Sequence, residues 1–156
     1  MLFAIKNCLD LKLYTQDGKE IYNIDYANDA IFRINEWETE AFLCLKHEFT
    51  DFDLVKLKYD GYKEMSDFEK ETSNLNVTIR SIHNRSEYKA IGIFEIKNAD
   101  MSVKKVKIVF DKICFGLNTC NKVKFSDEEV SKFSTIFQVF PNELGDYCRI
   151  SEVCNA

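Results

Sequence analysis

The sequence predicts a mainly β protein of the α+β class, built as an antiparallel sheet or β-sandwich with one C-terminal amphipathic helix. Several segments alternate apolar and polar residues, which is the period of a strand with one buried face. The connections between these segments are too short for crossover helices, so neighbouring strands are expected to be antiparallel. One segment near the C-terminus has the helical period instead.

Size and composition predict one folded domain. The 156 residues are 46% hydrophobic and 13% aromatic, with 13 Phe and seven Tyr, which is more than a disordered chain carries. A chain of this length buries about 68 to 70% of its unfolded surface, enough for one core. Residues 1–156 are therefore expected to form a single domain. Residues 62–74 are polar and acidic and are expected to be an internal loop.

The first predicted element is a β-hairpin. Leucines alternate with polar residues over 9–14, and apolar residues alternate again over 22–26. Asp17 and Gly18 lie between these two segments. An Asp-Gly pair in this position favours a type I′ turn, which requires positive φ at both central residues. The chain is therefore expected to open with two antiparallel strands.

Further strands are predicted through the middle of the chain. Their apolar residues recur every second position, the spacing that places side chains on one face of a strand. The breaks at residues 84–86 and 98–100 are short and polar, as expected for connections in a meander. The predicted strands are residues 41–49, 55–59, 75–79, 88–96 and 106–110.

A helix is predicted over residues 127–140, because four apolar side chains there share one helical stripe. Ser126 and Glu129 have the spacing of a capping box, and Pro141 follows the last turn. The alternative is a strand over residues 134–140, where β-prone residues are concentrated. The stripe consists of Val130, Phe133, Phe137 and Phe140.

The N-terminus and the cysteines predict a cytoplasmic protein. Residues 1–10 lack the continuous apolar core of a signal peptide, and no apolar stretch reaches the roughly 18 residues that a membrane span requires. The cysteines form no Cys-x-x-Cys pair, so reduced structural thiols are favoured over disulfides or a metal site. A link within Cys114/Cys120 or Cys148/Cys154 stays open. The two other cysteines are Cys8 and Cys44.

No cofactor or metal is predicted. The five glycines are scattered singly, whereas phosphate-binding loops need clustered glycines. His47 and His83 do not form a His-Glu-x-x-His zinc motif. Asp51, Asp53 and Asp60 have the oxygen ligands that calcium takes, but acidic residues are also ordinary in turns.

Glu95 and Lys97 are the residues with the strongest catalytic pattern. They lie two apart in a predicted strand and therefore point the same way. Residues 91–97 resemble the Glu-x-Lys half of the PD-(D/E)xK nucleases. In that family the carboxylates bind a divalent metal, and the lysine helps to position or activate the attacking water. The resemblance implies a metal-dependent nuclease, although the family's upstream metal-binding Asp has no close counterpart, since Asp67 is the nearest.

Acidic residues are concentrated in the first half of the chain. Residues 1–75 contain 16 acidic and nine basic residues, a formal charge of −7, whereas residues 76–156 carry +2. Clustered carboxylates create a field that selects basic partners. Aromatic residues within the cluster would anchor such a contact. The predicted contact residues are Glu36, Trp37, Glu38, Glu40, Asp51 and Asp53.

These observations predict a non-catalytic acidic binding protein. The expected role is an immunity-type or phage-type inhibitor that blocks a basic partner, such as a toxin, a nuclease or a nucleic-acid-binding protein. Direct binding of nucleic acid is not expected, because the net charge is −5. One alternative is a nuclease-like enzyme that uses Glu95 and Lys97. Another is a structural subunit of a phage-like assembly, joined through the strands at 41–49 and 88–96, which are apolar on both faces.

Overall fold

A computed structural model describes residues 4–25, 27–35, 40–47, 57, 86–116 and 133–153. Strands account for most of these residues, and no helix within these ranges is long and apolar enough to cross a lipid bilayer. The strands are β1 (Ala4–Tyr14), β2 (Glu20–Ile24), β3 (Ala27–Asn35), β4 (Glu40–His47), β5 (Tyr88–Lys97), β6 (Val103–Phe115), β7 (Phe133–Phe140) and β8 (Arg149–Glu152).

The strands form one antiparallel sheet that closes on itself. In order around the ring, β1 pairs with β3, β3 with β4, β4 with β7, β7 with β6 and β6 with β5, and β5 pairs back to β1. Each of these six strands therefore has a hydrogen-bonding neighbour on both sides, whereas β2 pairs with β1 alone and β8 with β6 alone among the described strands. The prediction of a mainly antiparallel β fold is confirmed.

At two positions around the ring, two strands lie end to end beside the same neighbouring strand. β2 and β3 lie on the same side of β1, with β2 opposite residues 11–14 and β3 opposite residues 7–8. In the same way, β7 lies opposite residues 112–115 of β6, and β8 lies opposite residues 106–109. The chain therefore leaves its position beside β6 after β7 and returns to β6 at β8.

Apolar side chains fill the inside of the closed sheet. β5 alternates strictly between buried and half-buried residues, so one of its faces points inward and the other outward. The ring of Phe115 packs against those of Phe137 and Tyr88, with centroids 4.9 and 6.2 Å away. Burying a large apolar side chain stabilises a fold by about 1.5–3 kcal/mol. The largest fully buried residues include Phe94, Phe110, Phe115, Phe137, Leu11, Leu13, Leu43 and Leu45.

Two β-bulges keep the apolar residues of β1 pointing inward. The ladder between β1 and β5 shifts register between Ile5 and Asn7, and again between Cys8 and Asp10. Each extra residue moves the alternation by one position. Cys8 and Leu11 are therefore both fully buried, although an odd spacing of three would place them on opposite faces of a regular strand.

The predicted N-terminal hairpin is confirmed, but its predicted turn type is wrong. Gly18 has a φ of 98°, whereas Asp17 is not among the residues with positive φ, so a type I′ turn is excluded. The Gly18 N–H donates to the Thr15 carbonyl oxygen at 2.9 Å, and the Thr15 N–H donates to the Lys19 carbonyl oxygen at 2.8 Å. This pattern fits a type I turn followed by a left-handed residue.

The same turn recurs between β5 and β6, with a methionine in the left-handed position. The Met101 N–H donates to the Asn98 carbonyl oxygen at 3.0 Å, and the Asn98 N–H donates to the Ser102 carbonyl oxygen at 2.9 Å. Met101 has a φ of 70°. Residues 142–146 repeat these hydrogen bonds with Gly145 at a φ of 85°. Met101 therefore occupies a backbone position that favours glycine.

The predicted helix over residues 127–140 is wrong for residues 133–140, which form β7. Thr135, Phe137 and Val139 are buried on its inner face. β4 and β6 supply hydrogen bonds on both sides of β7, and these long-range pairings outweigh the helical spacing of the phenylalanines. The alternative of a strand in this segment is confirmed. Residues 127–132 lie outside the described part of the chain.

Three predicted middle strands are confirmed. The predictions at 41–49, 88–96 and 106–110 correspond to β4, β5 and β6, and β6 extends well beyond the predicted range. Leu57 has a helical backbone and is buried in the core, so a strand over 55–59 is wrong at that residue. The predicted strand at 75–79 and the predicted loop at 62–74 lie outside the described residues.

Substitution of Gly92 tests the close packing inside the ring. Gly92 lies opposite Leu11 on β1 and Ile108 on β6, and an added Cβ would collide with the Phe94 ring and approach Leu11 Cδ1 to 2.9 Å. Gly92→Ala is expected to lower the free energy of unfolding by about 1–3 kcal/mol, as overpacking does. Denaturant unfolding measures this change.

The control is Gly116→Ala. An added Cβ at position 116 would approach Ile136 Cγ2 to 3.1 Å and the Ile136 carbonyl oxygen to 3.2 Å. These contacts are less severe than those at position 92, so a smaller loss is expected. Equal stability of Gly92→Ala and the parent protein would contradict the packing described here.

Substitution of Met101 tests the strain in the β5–β6 turn. The side chain is 66% exposed, so its removal costs little packing, whereas a left-handed backbone costs a non-glycine residue about 1 kcal/mol or more. Met101→Gly is expected to raise the free energy of unfolding by about 0.5–1 kcal/mol, since the entropy of glycine offsets part of the gain. Met101→Ala keeps the strain and serves as the control. The account fails if the alanine variant is the more stable of the two.

Candidate functional site

The six predicted contact residues lie at, or outside, the limits of the described structure. Glu40 is described as the first residue of β4, where its backbone is opposite Asn35 at the end of the β3–β4 ladder. Residues 36–39 connect these two strand ends in the sequence. The other five, Glu36, Trp37, Glu38, Asp51 and Asp53, lie outside the described residues, so the acidic contact site stays a prediction.

The described structure shows instead a surface rich in lysine. This surface, the outer wall, is the outward face of β1, β5, β6 and β8. Ile93 of β5 is half-buried and lies opposite Lys107 of β6. Two residues further along, Glu95 lies opposite Lys105. Paired residues share a face of a sheet, so Lys105 and Lys107 point outward, and both are exposed.

The outer wall has an apolar centre. Ile91 lies between Lys12 on β1 and Val109 on β6. Ile93 follows two positions later on the same face of β5. Ile91, Ile93 and Val109 are each half-buried, so they form a small, partly exposed apolar area among the surrounding lysines. Lysines on three strands therefore surround three aliphatic side chains.

One ion pair lies beside the outer wall, near the start of β6. Lys104 and Glu152 are opposite the buried residues Ile96 and Val106, so the register does not place them on the outward face. Lys104 Nζ lies 3.1 Å from Glu152 Oε1, and both side chains are more than half exposed, so this pair contributes little to stability. In the described part of the chain, no ion pair involves Lys105 or Lys107. With respect to the described residues, the outer wall thus keeps unpaired positive charge. Its lysines without an ion pair to another described residue are Lys12, Lys89, Lys97, Lys105 and Lys107, and its carboxylates include Asp10 and Glu95.

Glu95 and Lys97 share the outward face of β5, as their spacing predicts. Among the described residues, no group of three His, Cys, Asp or Glu side chains could hold a metal ion. A divalent metal at Glu95 would therefore need further ligands from the rest of the chain. A shallow, open groove of about 290 Å³ lies beside Glu95. Its lining consists of Glu95, Val103, Lys104, Lys105, Glu152 and Val153.

Asp111 joins three separate parts of the chain. Arg149 donates to both of its carboxylate oxygens, at 2.6 and 3.0 Å, and the Asn142 side chain donates to the Oδ2 atom at 2.9 Å. The Gln16 side chain donates to the backbone carbonyl oxygen of Asp111 at 3.2 Å. The hydrogen bonds from Arg149 and Asn142, together with the charge of Arg149, lower the pKa of Asp111.

This cluster links β7 and β8, the two strands that lie end to end beside β6. A register shift in the β5–β6 ladder, between Tyr88 and Ala90, gives β6 an extra residue around Asp111. Asn142 follows the end of β7, and Arg149 begins β8. Asp111 therefore binds both the segment that follows β7 and the first residue of β8. The sequence spacing of 31 and 38 residues gives no periodic signal for this contact.

Burial disfavours nucleophilic chemistry at the described cysteines. Cys8, Cys44 and Cys148 are free thiols, as predicted, and Cys120 and Cys154 lie outside the described residues. Burial raises the pKa of Cys8 to about 12 and also raises the pKa values of Cys44 and Cys148. A raised pKa lowers the fraction of reactive thiolate. These three cysteines therefore fit a structural role.

Acid unfolding tests the Asp111 cluster. The folded-state pKa of Asp111 is lowered, so its stabilising effect is complete above the unfolded pKa of about 3.9. That effect is lost as the pH falls through the folded-state pKa. Asp111→Asn is expected to be less stable than the parent protein at pH 7, with a difference that shrinks on acidification. Unfolding midpoints measured between neutral and acidic pH check this.

Arg149→Gln supplies the second arm of the test. If the two side chains act together, the double variant loses less stability than the sum of the single variants. Additive losses, or an Asp111→Asn protein with the same pH dependence as the parent, would contradict the proposed pairing.

Comparison with known proteins assigns no family. No protein-family model matches this chain, and no curated protein sequence matches it. The functional inference therefore depends on the charge distribution and on the surfaces of the closed sheet.

Proposed function

We propose that this protein is a non-catalytic binding protein of the inhibitor kind, whose acidic residues between 36 and 53 contact a basic protein partner. The observation that carries the proposal is the separation of charge along the chain. Residues 1–75 have a formal charge of −7, while the lysines of the outer wall lie mainly on β5 and β6. A separated charge distribution of this kind orients an approaching partner.

The topology supports a scaffold that presents its connections. The ring strands are fixed by pairing on both sides and by the buried aromatic residues. Glu40 begins β4 directly opposite the end of β3, so Glu36, Trp37 and Glu38 belong to the short connection between these strands. Binding residues are often carried on connections that a rigid framework positions.

The chemistry of the acidic residues indicates the class of partner. Carboxylates take the place of phosphates at a basic active site or a nucleic-acid groove, and an aromatic side chain anchors the contact. Immunity proteins and phage inhibitors of nucleases act in this manner. The cytoplasmic toxins and nucleases that such proteins block are therefore the partners that we propose, and nucleic acid itself is not expected to bind to the acidic residues.

Charge reversal tests this proposal. Glu38→Lys/Glu40→Lys is expected to slow association with the basic partner about tenfold at low ionic strength and to flatten its salt dependence, because long-range steering is lost. Cross-linking in producing cells identifies the partner, and stopped-flow mixing measures the association rate. Glu87→Lys/Glu143→Lys changes the charge equally at exposed positions outside the acidic segment and serves as the matched control.

Three outcomes would contradict the proposal. Equal association rates for the two double variants would remove the acidic residues from the contact. Cleavage of DNA or RNA with Mg²⁺ or Mn²⁺, lost in Glu95→Ala, would favour the nuclease-like alternative. Stable high-order oligomers of the purified protein would favour the structural-subunit alternative instead.

A further inference from the structure

The outer wall has the anatomy of a docking surface. Ile91, Ile93 and Val109 lie at its centre, and Lys12 and Lys107 are directly opposite the two isoleucines on neighbouring strands. An apolar centre within a charged rim is the usual arrangement of a protein interface. The lysines differ from a merely solvated face because they are concentrated around aliphatic side chains that water solvates poorly.

The size of the outer wall selects an extended partner. The outward residues of β5 run from Lys89 to Lys97, which spans about 27 Å at the rise of a strand. The three long strands β1, β5 and β6 give a width of about 10 Å, and β8 adds four residues beside β6. This area is well below the roughly 800 Å² per partner of a standard interface between globular proteins. It matches one extended segment of about eight residues.

The charge pattern selects a polypeptide over a nucleic acid. Asp10 lies opposite Ile93, with its Oδ1 atom buried, and Glu95 follows two positions along β5. Two carboxylates would therefore lie close to a phosphate chain bound on this surface. Single-stranded nucleic acids also bind through stacking on aromatic side chains, whereas the centre of the outer wall is aliphatic. An acidic polypeptide can place carboxylates beside the lysines, apolar side chains over the isoleucines and neutral residues beside Asp10 and Glu95.

We propose that the outer wall is a second binding surface, distinct from the acidic residues between 36 and 53, and that its ligand is an extended acidic protein segment with apolar side chains among its carboxylates. Lys105 and Lys107 supply the exposed positive charge, and Ile91 and Ile93 supply the apolar contact. The protein then has two surfaces of opposite charge, and each selects a partner of different chemistry.

The test uses a labelled random copolymer of glutamate and tyrosine as the acidic, partly apolar probe. Fluorescence anisotropy compares it with poly-glutamate and with oligothymidylate, using the full-length protein. The copolymer is expected to bind more tightly than the other two probes. Lys105→Glu/Lys107→Glu is expected to weaken copolymer binding about tenfold, because two attractive charges become repulsive. Ile93→Ser is expected to weaken binding of the copolymer but not of poly-glutamate.

Control variants separate this surface from general charge and from folding. Lys19→Glu/Arg33→Glu makes the same charge change at exposed positions outside the outer wall and is expected to bind the copolymer as the parent does. Lys105→Gln/Lys107→Gln avoids new repulsion with Glu95 and is expected to bind several-fold more weakly than the parent. Unfolding midpoints confirm that each variant folds.

Three results would overturn the proposal. The first is equal weakening by the wall variant and its control. The second is oligothymidylate binding as tight as that of the copolymer and lost in the same variant, which would assign the surface to nucleic acid. The third is a dimer of the parent protein in sedimentation that Lys105→Glu/Lys107→Glu disperses, which would assign the surface to a second copy of the chain.

Discussion

The pairing between β1 and β5 is the constraint on which the rest of the structure depends. It runs from Ala4 opposite Lys97 to Tyr14 opposite Lys89, along the whole of both strands. Without it, the remaining pairings would form an open sheet whose two outer strands lack a neighbour. Closure lets the inward side chains meet across the interior, where the aromatic rings of Tyr88, Phe115 and Phe137 pack together.

Closure also separates the chemistry of the two faces. Apart from Thr135, the buried residues of the described strands are apolar, so most polar and charged groups are left for the outward face and the connections. The Asp111 cluster uses this outward face to hold an interrupted strand in place. The two proposed functions rest on the lysines of the outer wall and on the acidic residues of the first half.

The sequence predicts those elements whose signal is local. Alternation along β4 and β5 identifies the strands and their inward residues, and Gly18 marks the first turn. The sequence of β7 is compatible with both a helix and a strand, and its pairing with β4 and β6 determines that it forms a strand. The closure of the sheet and the contact between Asp111 and Arg149 join residues far apart in the chain. The placement of the outer-wall lysines around Ile91 and Ile93 likewise requires the register between strands.

The long separation between β1 and β5 has a consequence for the synthesis of the protein. Tyr14 of β1 can pair with Lys89 of β5 only after 75 further residues have been synthesised, and the ring cannot close before then. Non-local pairing of this kind slows folding, since the entropy of a long loop is lost before the contacts form. The nascent chain therefore carries a half-paired N-terminal hairpin through much of translation, and chaperones that shield unpaired strands would act at this stage.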